Sequence, residues 1–333
     1  MFHGCKRLCT SGLRLSASSR CTGMLSKAEA RKRRCQLFEE EKQRQRSELG
    51  RIEKIEVKYQ SVEDEVVLVM NRNISTPHDC AKHISESITK MSAIAFVDGQ
   101  IWDMHKPFTG NCELQLVTMQ TPRSGMINNA FWRTCSLILG AVAENAFKDN
   151  VNVHLHSFPY PVIRSGSFVY DVFIDLPSWQ PTDSELRAMS ALFVKFINRE
   201  LLLERLEVPC SIAQHMFEDN PFKYQQIPQI AKDNDDDKVT LYQLGDHIDI
   251  SKGPMISNSG LIGRVTVTAV HRLTNGPVDG LYRFQGVALP KGIMLNHFAY
   301  SILENRAKKL NTVTWQPHIV EHEMMNNVTA SAN

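Results

Sequence analysis

The sequence has 333 residues, of which 42% are hydrophobic and 22% are charged, and its formal net charge is +2. This length is sufficient for two modest globular domains, and the absence of any run of eighteen apolar residues predicts no membrane span. The eight cysteines are scattered and include no Cys-x-x-Cys pair. Their spacing argues against a disulfide framework and a zinc ribbon, and it fits a reducing compartment.

The first 28 residues have the composition of a mitochondrial presequence. They contain five basic residues and five serines, and no acidic residue precedes Glu29. Because a positively charged, acid-free segment responds to the matrix-negative potential, we expect the protein to be imported into the mitochondrial matrix. The alternative is a disordered basic tail.

Residues 29–52 predict a basic helical arm that is exposed to solvent. Ser26 and Glu29 have the spacing of a capping box, and no glycine or proline follows until after Leu49. Residues 1–58 hold fifteen Lys and Arg against seven Glu, a net charge of +8, whereas the remainder carries −6. Because the arm would attract a phosphate backbone, we name four candidate rRNA contacts. These are Arg31, Lys32, Arg33 and Arg34. The alternative is a merely solvated helix face.

Residues 53–121 predict a small α+β domain. Asp98 and Gly99 stand between two short apolar runs, which is a strong hairpin signal, and Pro77 fits the first turn of a helix. The predicted order is two strands, a helix, a hairpin and a closing strand. This order resembles the ubiquitin-like β-grasp (TGS) module named for the synthetases, GTPases and regulatory proteins that share it. The segment contains no phosphate loop, so we expect a docking role.

Residues 122–290 predict a larger α+β domain. Ala130–Phe147 is apolar on several faces, as a buried helix would be. Thr182 and Glu185 have capping-box spacing, and apolar residues follow at the spacing of one helix face. Arg264–Val270 alternates as a strand does. Residues 291–333 are expected to form a C-terminal helix and tail.

Two segments of the larger domain resemble an active site that has lost its reactive side chains. Phe131–Leu137 and Asp249–Met255 are similar to the two site-forming motifs of the second editing domain of threonyl-tRNA synthetases. That family has two histidines in the first motif, and a cysteine and a histidine in the second. The residues at these four degenerate positions are Arg133, Leu137, Ser251 and Met255. None offers the imidazole or thiolate that would activate a water, so we expect no catalytic residue.

The resemblance covers roughly residues 53–290, which follow the amino-terminal half of the synthetases in order. Further matching blocks are Phe158–Asp171, Leu203–Val208, Met216–Lys223, Tyr242–Asp249 and Leu281–Gly286. The implied fold is α+β, with a TGS β-grasp domain, a catalytically inactive editing-like domain and a helical N-terminal arm. The aminoacylation core and the anticodon-binding domain have no counterpart, so we do not expect the chain to charge tRNA. The combination is similar to the synthetase-like proteins of the mitochondrial large ribosomal subunit.

Four further residues allow a metal-site hypothesis. His154 and His156 share one predicted strand face, and His247 and Asp249 share another, so four metal-capable groups could converge. The histidine pair lies outside the motifs that carry the resemblance. We therefore prefer the interpretation that these are surface histidines on a solvated strand, and we expect neither a metal nor a cofactor.

Ser251 and Arg133 are the polar replacements at the degenerate positions. Neither motif places a histidine or lysine base beside Ser251. The Arg133 guanidinium must reach solvent, pair with an acid such as Asp249, or meet a phosphate or carboxylate of a partner.

The resemblance implies a non-enzymatic structural role in the mitochondrial large ribosomal subunit, in support of mitochondrial translation. The expected partners are large-subunit proteins and rRNA, and no small-molecule substrate is expected. One alternative is a free-standing hydrolase that clears mischarged tRNA, which the four lost side chains disfavour. Another is a non-catalytic binder of tRNA-like RNA, which the negative charge of residues 59–333 disfavours.

Overall fold

The computed structural model describes residues 26–60, 65–121, 124–234, 236–274, 276 and 278–313. Most of the predicted presequence and the tail from residue 314 onward lie outside the described residues. The predicted α+β fold is confirmed: one helix precedes a five-stranded sheet, and two further sheets follow with the remaining helices. Within the described residues, no helix combines the length and the hydropathy that a membrane crossing requires.

The five-stranded sheet and two short helices form the first unit. Its elements are β1 (Lys54–Gln60), β2 (Glu65–Asn71), α2 (Pro77–Ile84), α3 (Glu86–Met91), β3 (Ser92–Val97), β4 (Gln100–Trp102) and β5 (Cys112–Thr118). The strand order is β2-β1-β5-β3-β4, with β1 and β5 parallel at the centre. The hairpin between β3 and β4 turns at Asp98 and Gly99, whose φ values of 51° and 78° are those that a type I′ turn requires.

The core of this unit follows from the alternation of β1. Ile55, Val57 and Tyr59 point inward, while the residues between them are exposed. Cys80 and Ala81 of α2 are fully buried in the same cluster. The sheet therefore buries one face beneath α2.

The larger unit contains two antiparallel sheets. Its elements are α4 (Ser124–Ala146), β6 (Val153–Ser157), β7 (Phe168–Ile174), α5 (Asp183–Asn198), β8 (Glu204–Pro209), α6 (Cys210–Met216), α7 (Pro221–Lys232), β9 (Lys238–Leu244), β10 (His247–Ile250), β11 (Ile262–Arg272), β12 (Leu281–Pro290) and α8 (His297–Ala307). The strand orders are β11-β12-β7-β6 and β10-β9-β8. Helices α4 and α5 pack on the four-stranded sheet. A Cβ at Gly140 would come within 2.7 Å of the Tyr170 ring, so glycine lets α4 lie close to β7.

Helix α1 (Lys27–Glu48) precedes both units and begins at the predicted capping box. Ser26 Oγ accepts a hydrogen bond from Glu29 N at 3.3 Å, and Glu29 Oε2 accepts one from Ser26 N at 2.9 Å. The expected solvent exposure is wrong, because one face of the helix packs on β8, β10 and α6. That face buries four side chains: Ala30, Arg34, Phe38 and Glu41. Phe38 is completely buried in the core of the three-stranded sheet.

Candidate functional site

The four degenerate positions lie between α4 and the segment that follows β10. Arg133 and Leu137 stand one turn apart on α4, and Ser251 and Met255 belong to residues 251–257. All four side chains are buried. The two motifs therefore meet in space, as the resemblance implies, but their contact is closed to bulk solvent.

Arg133 joins the two motifs. Its Nη1 donates a hydrogen bond to the carbonyl oxygen of Pro254 at 3.1 Å. Its guanidinium carbon lies 5.1 Å from the centre of the Tyr160 ring, within the range of a cation–π contact. Of the environments that the sequence allows for Arg133, exposure to solvent is therefore excluded.

Thr134, the neighbour of Arg133, fastens the second motif to α4. Its hydroxyl accepts a hydrogen bond from Ile256 N at 3.0 Å and lies 3.5 Å from the sulfur of Met255. The Met255 amide in turn donates to Asp103 Oδ1 at 2.9 Å. Met255 is therefore held by contacts with Thr134 and Asp103.

A buried polar centre lies beside these motifs and is formed by Asp249, Lys223 and Tyr170. Asp249 Oδ1 is 2.6 Å from Lys223 Nζ, and Tyr170 donates its hydroxyl to Asp249 Oδ2 at 2.5 Å. Burial, followed by the negative charge of Asp249, raises the pKa of Tyr170 well above its ordinary value. The phenol therefore remains protonated and donates, and the carboxylate is balanced by the ammonium group.

Sequence reasoning missed Lys223 and Tyr170 as members of this centre. Asn220 caps α7 by accepting from Lys223 N at 3.2 Å, so the Asn-x-x-Lys spacing places the lysine in the first turn, pointing inward. The block Met216–Lys223 contained this signal. The proximity of Lys223 to Asp249 could not be inferred from the sequence, because the two residues lie on different elements.

The chemistry that the site can support is limited by these contacts. The Ser251 hydroxyl accepts a hydrogen bond from Gly253 N at 3.3 Å, and no base contacts it within the described part of the chain. Leu137 and Met255 exchange no proton, and the Arg133 guanidinium has no lone pair. The arrangement therefore holds two segments together and provides no group that would activate a water beside Ser251.

The four residues of the metal hypothesis have other partners. His154 lies against Phe222, with ring centres 6.3 Å apart, and His156 Nδ1 is 2.7 Å from Ser157 Oγ. Among the residues that the structure describes, no group of three His, Cys, Asp or Glu side chains is arranged to hold a metal ion. His156 and His247 are buried, which corrects the expectation of surface histidines for these two.

The candidate rRNA contacts on α1 differ in their environments. Arg31 Nε lies 3.4 Å from Asp246 Oδ2, and Arg33 Nη2 lies 2.7 Å from Glu218 Oε2. Lys32 is exposed. Of these three residues, Arg31 and Arg33 therefore already face carboxylates of the larger unit.

Arg34 is buried and anchors α1 electrostatically. Its Nη2 is 2.7 Å from Asp219 Oδ2, its Nη1 is 3.7 Å from Glu144 Oε1, and its guanidinium covers the Phe217 ring. Glu144 also bonds His247 Nδ1 at 2.9 Å. Burial opposes the ionisation of Glu144, but His247 and Arg34 outweigh that effect and lower its pKa to about 2. The Arg34 side chain thus stabilises the packing of α1 on the larger unit.

Comparison with known proteins gives two kinds of relative. A family model described as the TGS domain matches residues 63–118. The cytoplasmic threonine–tRNA ligase 2 of Homo sapiens is 28% identical over 224 residues, which are 66% of this chain and 26% of the ligase. The threonine–tRNA ligase of Thermotoga maritima is 29% identical over 197 residues, which are 59% of this chain and 28% of the ligase.

The second kind of relative matches along most of both sequences. The large ribosomal subunit protein mL39 of Drosophila melanogaster is 48% identical over 279 residues, which are 83% of this chain and 84% of that protein. By contrast, each of these two ligases is matched over only about a quarter of its length. The chain therefore belongs to the family of the large ribosomal subunit protein mL39.

Proposed function

We propose that the protein is a non-enzymatic structural constituent of the mitochondrial large ribosomal subunit, where it supports mitochondrial translation in the matrix. The observation that carries the proposal is the 48% identity with mL39 over 83% of the chain. The acid-free first 28 residues support the mitochondrial location.

The buried motifs support a role without catalysis. Arg133 and Thr134 use their polar groups to hold the second motif, and Asp249 is held by Lys223 and Tyr170. Groups that are engaged in this way stabilise the scaffold, and a scaffold can dock on neighbours without any chemistry.

The proposed partners are large-subunit proteins and rRNA. For rRNA, Lys32 is the best of the four candidate contacts, because it is exposed, whereas Arg31 and Arg33 already face Asp246 and Glu218. Arg34 is withdrawn from this set, because its guanidinium is buried against Asp219 and Glu144.

Sedimentation of a mitochondrial lysate tests the proposed function. We expect the endogenous protein to migrate with the large subunit on a sucrose gradient, and to remain there in high salt. A slowly sedimenting monomer would contradict the proposal.

An activity assay tests the hydrolase alternative. The purified protein should not deacylate seryl-tRNA that carries the threonine anticodon faster than the uncatalysed reaction, whereas a threonine–tRNA ligase with an editing domain serves as the positive control. Turnover that is abolished by Ser251→Ala would establish an enzyme instead.

An import assay tests the location. Deleting residues 1–26 should leave the protein in the cytosol, and attaching them to a reporter should send the reporter to the matrix. Unchanged import of the truncated protein would contradict this part of the proposal.

A further inference from the structure

The outer face of α8 and the residues before it are apolar and exposed. The α8 patch is defined by five residues: Ile293, Met294, Leu295, Phe298 and Ile302. The side chains of Met294, Phe298 and Ile302 are 93%, 75% and 54% exposed. Single exposed apolar residues are common on protein surfaces, but five within ten positions are not, and such patches mark interaction sites.

The opposite face of α8 is already packed on the larger unit. Tyr300 and Ala307 are buried, and Leu303 joins them in the cluster with Val287 of β12. The Tyr300 hydroxyl lies 3.1 Å from Thr266 Oγ1. Because this face fixes the helix, the helix cannot rotate to bury the α8 patch. A helix that is apolar on both sides is typical of one that is buried on both sides.

The spacing of the α8 patch fits a helix that docks into a groove. Phe298 and Ile302 lie four residues apart on α8, which places them on one face of the helix, and Leu295 directly precedes its N-cap. Asn296 caps the helix by accepting from Ala299 N at 2.8 Å, so this face begins at a fixed end.

The C-terminal end of α8 is positively charged. Lys308 and Lys309 are exposed there, whereas Lys291 already pairs with Glu200 at 3.2 Å, and Glu304 is bonded to Thr266 Oγ1 at 2.7 Å. A partner surface would therefore match best if its apolar centre were bordered by carboxylates.

We propose that the α8 patch docks into an apolar groove with an acidic rim on a neighbouring protein of the large ribosomal subunit. This inference rests on the proposed function. Ribosomal RNA matches the positive charges but not the apolar centre, because isoleucine, leucine and methionine side chains cannot pair with phosphates or base edges, and Phe298 is a single ring that could stack on only one base. A second copy of this chain fits the centre but not the rim, because a symmetric contact would bring like charges together.

Paired substitutions test whether the α8 patch is needed for assembly. Phe298→Gln combined with Ile302→Gln removes two apolar anchors and keeps good helix-forming residues. Val194→Gln on α5 is the matched control, because Val194 is an exposed helical residue, 39% accessible, outside the α8 patch. Each full-length protein is expressed in cells depleted of the endogenous one, and its fraction in the large-subunit peak is measured.

We expect the α8 double variant to lose at least tenfold of its large-subunit fraction, while the wild type and Val194→Gln remain bound. Thermal melting of the purified proteins should be the same, since all three sites are exposed. If the double variant sediments like the wild type, the α8 inference is wrong and the proposed function stands. If the wild type itself fails to sediment with the large subunit, both are wrong.

Photo-cross-linking identifies what covers the α8 patch. The substitution Phe298→p-benzoylphenylalanine, followed by irradiation of gradient-purified large subunits, should give an adduct with one subunit protein. Mass spectrometry should map it to an apolar segment flanked by Asp or Glu. An adduct with rRNA, with residues 314–333 of the same chain or with a second copy would overturn the proposal.

Discussion

Gly253 stands at the closest backbone approach in the second motif. A Cβ at this position would come within 1.9 Å of the Tyr242 hydroxyl oxygen, and the φ of 72° already favours glycine. Tyr242 cannot move aside easily, because it is fully buried and donates to Asp103 Oδ2 at 2.9 Å.

We therefore expect Gly253→Ala to lower the free energy of unfolding by about 2–4 kcal/mol, since overpacking and a left-handed backbone each add a cost. Gly110→Ala is the control, because a Cβ at Gly110 would meet no heavy atom within 4 Å. Urea denaturation measures both, and an unchanged midpoint for Gly253→Ala would show that the loop adapts.

Two buried histidines predict that the fold weakens in mild acid. Burial lowers the pKa of His78 to about 4 and that of His156 to about 4, from an ordinary value of 6.5. Between these values the unfolded chain binds protons that the folded chain does not. The free energy of unfolding should therefore fall as the pH decreases from 6.5 to 4.

Replacing His156 isolates one contribution. His156→Gln should remove on the order of 1–2 kcal/mol of this decrease, an amount discounted for partial solvent access. Urea denaturation at pH 7 and pH 5 measures the difference, and exposed His83 gives the control His83→Gln. Equal pH dependence in the wild type and His156→Gln would disprove the assignment.

Replacing only one member of the Lys223–Asp249 ion pair should destabilise the protein more than replacing both. Lys223→Met leaves the Asp249 carboxylate buried without its ammonium partner, so we expect a loss of about 3–5 kcal/mol. The double variant Lys223→Met with Asp249→Leu should recover part of that loss. A double-mutant cycle measures the coupling, and purely additive effects would show that the two charges do not interact.

Helix α1 is the element whose behaviour differs most from its composition. Its charged surface suggests a solvated helix, but Phe38 fills the core beside β8 and β10, and Gln45 Nε2 donates to Glu207 O at 2.7 Å. Together with α6 and α7, the helix covers the apolar face of the three-stranded sheet.

Single charge reversals separate the two roles of α1. Lys32→Glu should weaken binding to the large subunit and make it more salt-sensitive, with no change in melting temperature, because Lys32 is exposed. Arg34→Glu should lower the melting temperature, because it places a carboxylate at a buried position beside the carboxylates of Asp219 and Glu144. Identical effects of the two substitutions would show that the helix has one role only.

In the whole molecule, residues 255–257 connect the two units by hydrogen bonds. Ser257 N donates to Ala93 O at 2.9 Å, and Ser257 Oγ donates to Ser92 O at 2.6 Å. Asp103 accepts from Met255 N on one oxygen and from the Tyr242 hydroxyl on the other, both at 2.9 Å. The β-grasp unit and the larger unit should therefore unfold together.

Calorimetry tests this coupling. We expect one unfolding transition for the wild type, and two for Asp103→Leu, because the substitution leaves the Met255 amide and the Tyr242 hydroxyl without an acceptor and removes the carboxylate that pairs with Arg205. Asp98→Asn, at the exposed β3–β4 turn, is the control and should retain one transition. Two transitions in the wild type would mean that the hydrogen bonds of residues 255–257 are too weak to couple the units.

The loss of the reactive groups and those elements that have local signals, such as the capped helices and the β3–β4 hairpin, could be predicted from the sequence alone, whereas α6 and α7 were not predicted. Turn residues such as Asp98 and Gly99, capping boxes and apolar spacing act over a few positions, so they can be interpreted without knowing the fold. The loss of reactivity at positions 133, 137, 251 and 255 can be recognised from the sequence, because the inability to activate water is a property of each residue type.

Which charges are exposed and which are buried follows only from the folded structure. Arg34 and Asp219 lie 185 positions apart, and Lys223 reaches Asp249 from a different element, so no local pattern links the members of either pair. The same limit explains α1 and α8. An apolar stripe shows that a helix has a face to bury, but which surface covers it depends on contacts between distant segments, or on a partner, and these arise only when the chain is folded and assembled.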